Sequence, residues 1–137
     1  MKPFRPFRSL LSVLVGYLLM TFLVGLSHLG LQALAPDAFH QAEARIDPPW
    51  LQLLWALGGL AAILGGWTTA RLAPRAALAH SVVLAGVVFG AWVLYASLVP
   101  VDQSPWNPPV ILLSGLVGAV AGGVLRQLQL ARHSGRS

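Results

Sequence analysis

Charge is what this sequence has least of. Of its 137 residues 9% are charged, against roughly 25% in an ordinary soluble domain. Four long stretches, residues 9–36, 48–70, 76–101 and 103–125, hold no Asp, Glu, Lys or Arg at all. A helix of about 20 apolar residues crosses a hydrocarbon core of about 30 Å, so each stretch is long enough to span a bilayer. Little is left over for a soluble domain, and residues 1–137 read as one integral membrane domain. Cysteine is absent too, which excludes disulfides, thiolate metal sites and thiol catalysis. Period-2 alternation is missing, which argues against the strands of a membrane β-barrel. No span contains an acid, and intramembrane ionisable groups are the usual mark of coupled transport. Proton- or cation-coupled transport and carboxylate-based hydrolysis are therefore disfavoured. With neither a nucleophile–base pair nor metal-ligand spacing visible along the chain, no enzymatic activity, metal or cofactor is expected.

What charge there is alternates in sign between the spans. Lys2, Arg5, Arg8, Arg71, Arg75, Arg126, Arg132 and Arg136 fall on one side, eight of the nine basic residues. Arg45 lies opposite with all four acids, Asp37, Glu43, Asp47 and Asp102. The positive side of a membrane protein is the cytoplasmic one, so both termini are expected inside the cell. The net charge of +5 then reads as orientation signal and lipid-headgroup contact rather than nucleic-acid binding. Ala33-Leu34-Ala35 resembles a signal cleavage site. The apolar run before it is far longer than a signal-peptide core of about 7–15 residues, so an uncleaved first helix is expected.

The fold class that follows is an all-α, four-transmembrane-helix bundle, with helices over about 9–33, 49–72, 76–98 and 108–127. Prolines at 36, 48, 49, 74, 100, 108 and 109 bracket these segments, as residues that start or stop helices. Trp50, Trp67 and Trp106 fall at helix ends, where amphipathic indoles favour the headgroup level; Trp92 sits deeper and reads as a packing residue. Between the first two helices, Phe39, Ala42 and Ile46 share one helical face and His40, Glu43 and Asp47 another. A short surface helix and a plain loop both fit that composition. Displaced by 57 positions, Gly58, Ala62, Gly65 and Gly66 fall on Gly115, Ala119, Gly122 and Gly123. Coincidence explains this, glycine being common in membrane helices; a duplicated hairpin is the other reading.

Small residues four apart let membrane helices approach closely. Such stripes are Gly58, Ala62, Gly66 and Ala70 in the second helix, Gly86 and Gly90 in the third, and Ser114, Gly118 and Gly122 in the fourth. They are expected to pack the bundle, with a face of the fourth helix left for a partner as the alternative. Among polar residues, His28 shares a mildly polar line with Tyr17 and Thr21, and Tyr95 lies at a depth from which it could hydrogen-bond His28. His80 is expected near the cytoplasmic interface. Thr68 and Thr69 can bond back to helix carbonyls.

The densest local signature is Gly65-Gly66-Trp67-Thr68-Thr69-Ala70-Arg71-Leu72-Ala73-Pro74-Arg75, followed by Ala79-His80. Arg71 can snorkel to headgroups, and Arg75 follows the proline of a tight turn. With the layout of the whole chain, this resembles the small uncharacterised four-helix bacterial inner-membrane proteins that carry a Gly-Gly-aromatic stretch before Ala-Arg-x-Ala-Pro. The resemblance implies a bacterial cytoplasmic membrane and no particular activity. The expected role is a non-catalytic accessory or interaction component, in contact with the lipid bilayer and with a membrane-protein partner or further copies of itself, and not with nucleic acid. A small transporter or channel acting as an oligomer is the alternative.

Overall fold

The computed structural model describes residues 5–40, 45–73, 75–98 and 107–134. They form four long helices: α1 (Arg5–Leu34), α2 (Pro48–Leu72), α3 (Ala77–Leu98) and α4 (Asn107–Ser134). All four are long and apolar enough to cross a membrane. At a rise of 1.5 Å per residue, even the 22 residues of α3 reach about 33 Å. Helix α1 begins four residues before the expected start and α4 runs seven beyond the expected end. Pro6 falls in the first turn of α1, where its missing N–H costs nothing. No glycine or proline interrupts α4 between Gly123 and Gly135.

Residues 36–46 form no surface helix among those described. Pro36–Ala38 make a single 3₁₀ turn, and two-residue strands β1 (Phe39–His40) and β2 (Arg45–Ile46) pair antiparallel. Phe39 sits opposite Ile46 across that ladder, so the two apolar residues meet by pairing and not by helical spacing. Asp47 N–H then donates to Ala38 O at 3.0 Å, closing the connection. Leu31, Ala38 and Phe39 are buried there, with Ile46, Trp50, Leu54 and Leu57 packed around them.

Helices α2 and α4 run parallel and share the largest interface; α1 packs antiparallel on α2, and α3 antiparallel on α4. The interior is built from small residues: Gly16, Ala61, Ala62, Gly65, Gly66, Ala70, Gly118, Ala119, Gly122 and Gly123 are all buried. Large side chains face outward, among them Phe22, Leu29, Val83, Leu94 and Val117. Short-range van der Waals packing between such helices is joined by a few larger buried side chains, Val13, Met20 and Leu84. At Gly122 an added Cβ would overlap Ile63 O and stand 2.5 Å from Trp67 N. At Gly118 it would stand 2.7 Å from Ala62 Cβ and 2.8 Å from Gly59 O. Gly123 meets Ser81 of α3, and Gly115 meets Val88 at 3.4 Å, so α4 spends two faces of small residues on two neighbours.

Three of the glycines expected in the packing stripes lie outside it. Gly58, Gly86 and Gly90 have nothing within 4 Å of where a Cβ would be. Gly86 and Gly90 lie on the exposed face of α3, which meets α4 instead through Ser81, Leu84 and Ala85. Ser114 is a marginal contact, its Cβ 4.0 Å from the position of a Cβ on Gly59. Nor do the contacts repeat at a displacement of 57: Gly65 packs on α1 at Gly16 and Met20, whereas Gly122 packs across the bundle on α2. The two hairpins are therefore not equivalent copies in their packing.

Candidate functional site

The polar side chains that join helices collect at the end of the bundle carrying the basic residues. The first turns of α1 place Ser9 and Ser12 there, and the start of α3 places His80 and Ser81. The ring Nδ1 of His80 lies 3.1 Å from Ala76 O and Nε2 lies 3.0 Å from Ser9 Oγ. A carbonyl only accepts, so Nδ1 carries a hydrogen; in the neutral ring the Ser9 hydroxyl then donates to Nε2. Ser12 donates back to Ser9 O at 2.7 Å. Ser81 is fully buried and its hydroxyl reaches Gly66 O, 3.0 Å away on α2. Gly123 allows that reach, because a Cβ on it would stand 2.5 Å from the Ser81 hydroxyl. Thr69 is also fully buried, against Gly16 of α1, and its hydroxyl has no hydrogen-bond partner among the described residues. The expected back-bond to the helix is not made at Thr69, whose Oγ1 lies instead against the place a Gly16 side chain would occupy.

On the far side of α2 the indole of Trp67 donates from Nε1 to Gln129 Oε1 at 3.0 Å. The Arg71 guanidinium, one turn on, lies over the same indole at 5.1 Å from the ring centroid. Arg126 stands on α4 between Gly122, where a Cβ would meet the Trp67 backbone nitrogen, and Gln129, which accepts from the indole. Its Nε is buried and without a hydrogen-bond partner among the described residues. Arg75 is exposed in the turn between α2 and α3. That turn carries Ala76 at φ 47°, a left-handed conformation that costs a residue bearing a Cβ.

The line of polar residues expected on α1 does not form a site with Tyr95. Tyr17 is half-buried against the Val13–Leu84 and Met20–Ala62 clusters. Thr21 is exposed and bonds its own helix at Tyr17 O, 3.0 Å, and Leu18 O, 3.1 Å. His28 stands edge-on to Phe39 at 5.3 Å, with the rings at 88°. Tyr95 is 58% exposed, and no hydrogen bond joins it to His28. Trp50 packs against the cluster beneath β1; Trp106 lies outside the described residues. The side chain of His40 and residue Glu43 also lie outside them. No group of three metal-ligating side chains occurs among the described residues.

Sequence reasoning missed Ser9, Ser12, Gly16, Arg126 and Gln129. Ser9 and His80 are 71 positions apart, so no linear motif links them. The one available signal was depth: both lie in the first turns of helices that start at the basic end. Ser9 and His80 have the separation of a nucleophile and its base. Among the described residues no third side chain orients the imidazole, whose other nitrogen is spent on its own helix, and the pair joins α1 to α3. No protein-family model, curated protein or solved structure matches this chain.

Proposed function

We propose that this chain is a multi-pass component of a bacterial cytoplasmic membrane, with its basic end and both termini in the cytoplasm, acting without catalysis of its own as an accessory to other membrane proteins. The observation that carries the non-catalytic reading is where the polar side chains go. Ser12, Thr21, Ser27, Ser97 and Ser114 each bond a carbonyl of their own helix. His80 and Ser81 tie helices together. A transport pathway would need Tyr17, Thr21, His28 and Tyr95 on a common wet cavity, and these four are dispersed between the core, the surface and the contact with Phe39. The outward-facing leucines, valines and phenylalanines match lipid, and the bias of basic residues to one end supports the orientation.

The chain's lack of cysteine makes the test direct. Asp37→Cys, at an exposed position between α1 and α2, should react with a membrane-impermeant thiol reagent in intact cells. His133→Cys, exposed near the end of α4, should react only after permeabilisation. Reversed labelling would overturn the orientation, and recovery of the chain in the soluble fraction without detergent would overturn the membrane reading. Solute or ion flux that scales with purified protein in liposomes would replace the accessory role with transport.

A further inference from the structure

We infer that the cleft between the outer halves of α1 and α3 holds one acyl chain of a phospholipid, with Tyr95 as the donor to its ester end. The inference rests on the membrane reading above, and the outer half is the one away from the basic end. The two helices run parallel and meet in a constant register. Ser9 bonds His80, 71 positions on. At the same displacement Val13 and Leu84 share a buried cluster, and Tyr17 and Val88 both pack against it. Two turns beyond Tyr17 this register brings Val24 opposite Tyr95, and there the seam is open: Val24 is 37% exposed and Tyr95 58%. Helix α2 stands behind the opening. Its face of Thr69, Gly65 and Ala62 is buried, yet at Gly58, one turn further out on that face, a Cβ would meet nothing within 4 Å. The floor is the buried cluster of Met20 and Ala62, against which Tyr17 and Val88 also pack.

The occupant's chemistry follows from these walls. It is uncharged, because residues 9–36, 48–70 and 76–101 offer no charge to pair with one. It is slender, because the Ser9–His80 bond and the packing of Tyr17 and Val88 hold α1 and α3 together at the floor, and a helix needs about 10–12 Å of width. Its polar end accepts a hydrogen bond. Tyr95 lies one turn before the end of α3 at Leu98, at the headgroup level that tyrosine favours, and its hydroxyl has no partner among the described residues. An acyl chain ending in an ester carbonyl meets all three conditions.

The full chain, purified in maltoside detergent and titrated with palmitoyl-oleoyl phosphatidylethanolamine, tests this by native mass spectrometry of the lipid carried per chain. The parent should carry a tightly held phospholipid. Gly58→Leu, which fills the back of the cleft, should lose it. Gly86→Leu, at a glycine equally free of neighbours but on the exposed face of α3, should keep it. Tyr95→Phe should need roughly fivefold more lipid for the same occupancy, the size of one neutral hydrogen bond; an unchanged requirement would overturn the role of Tyr95. Equal loss in both leucine variants would assign the lipid to the general annulus and overturn the site, and so would retention in both. Glycerophosphoethanolamine, the headgroup without chains, should not compete; competition would overturn the acyl chain as the group bound. Should Gly58→Leu not fold, Val24→Trp closes the mouth from α1 and should lose the lipid in its place, and an unchanged load would overturn the cleft. A protein recovered in fixed ratio with the parent and lost on closing the cleft would give it to a helix and overturn the lipid. A chain that requires detergent yet carries no phospholipid defeats this inference and leaves the membrane reading standing.

Discussion

One substitution made at two glycines separates close packing from mere glycine content. In Gly66→Ala the new Cβ overlaps Ala119 O and stands 2.7 Å from Ala119 C and 2.8 Å from its Cα. Non-bonded carbons sit at about 3.5–4.0 Å, so α2 and α4 must part by roughly 1 Å. All the obstructing atoms are backbone, and no rotamer change relieves them. A gap of about 0.5–1 Å forfeits a quarter to a half of each contact's attraction, here along the largest helix–helix interface in the bundle. Overpacking costs about 1–3 kcal/mol, occasionally more, and the rigid obstacle puts Gly66→Ala at the upper end, about 3 kcal/mol destabilising. Gly86→Ala puts the same methyl into open space, with nothing within 4 Å. It should stabilise α3 by about 0.5–1 kcal/mol, the ordinary cost of glycine inside a helix. The assay is the folded fraction by helical ellipticity as SDS displaces a mild detergent. Opposite signs are expected; a loss at Gly86→Ala comparable to that at Gly66→Ala would refute the close backbone approach of α2 and α4 as the source of the difference.

The buried Thr69 hydroxyl, without a partner among the described residues, should cost about 1–3 kcal/mol. Thr69→Val, of nearly the same volume, is therefore expected to raise stability by about 1 kcal/mol, and a loss of that size in the same titration would mean the hydroxyl is engaged. Ala76 at φ 47° bears a left-handed strain of about 1–2 kcal/mol. Ala76→Gly should recover about 1 kcal/mol of it; unfolding at a lower SDS fraction than the parent would show that the turn is not strained.

The helices were legible because two strong local signals agreed: long runs without charge, and prolines at their borders. Their ends were less so. Nothing in residues 128–134 contradicts a helix, yet the uncharged stretch ends at Leu125, and the helix was expected to stop two residues later. The connection at 36–46 was ambiguous for a different reason. Phe39 and Ile46 can share a helical face or face each other across a ladder, and only the covering of Leu31 and Ala38 by Trp50 and Leu54 selects the second. The small-residue stripes were visible as candidates, but a Gly-x₃-Gly spacing looks the same whether it meets a helix, as Gly118 and Gly122 do, or open space, as Gly86 and Gly90 do. The candidate site was the least legible part. Its contacts join Ser9 to His80 and Trp67 to Gln129, residues 71 and 62 positions apart.

By itself the sequence determined that four segments are long and apolar enough to cross a membrane and, with no cysteine, that disulfide and thiol chemistry is excluded. These are properties of single segments, set by composition over about 20 residues at a time. Tertiary structure decided which glycines meet a neighbouring backbone and which face open space, and which arginine lies over an indole. A helix offers every residue to some direction, and only the placement of its neighbours decides whether that direction holds a backbone, a donor or nothing.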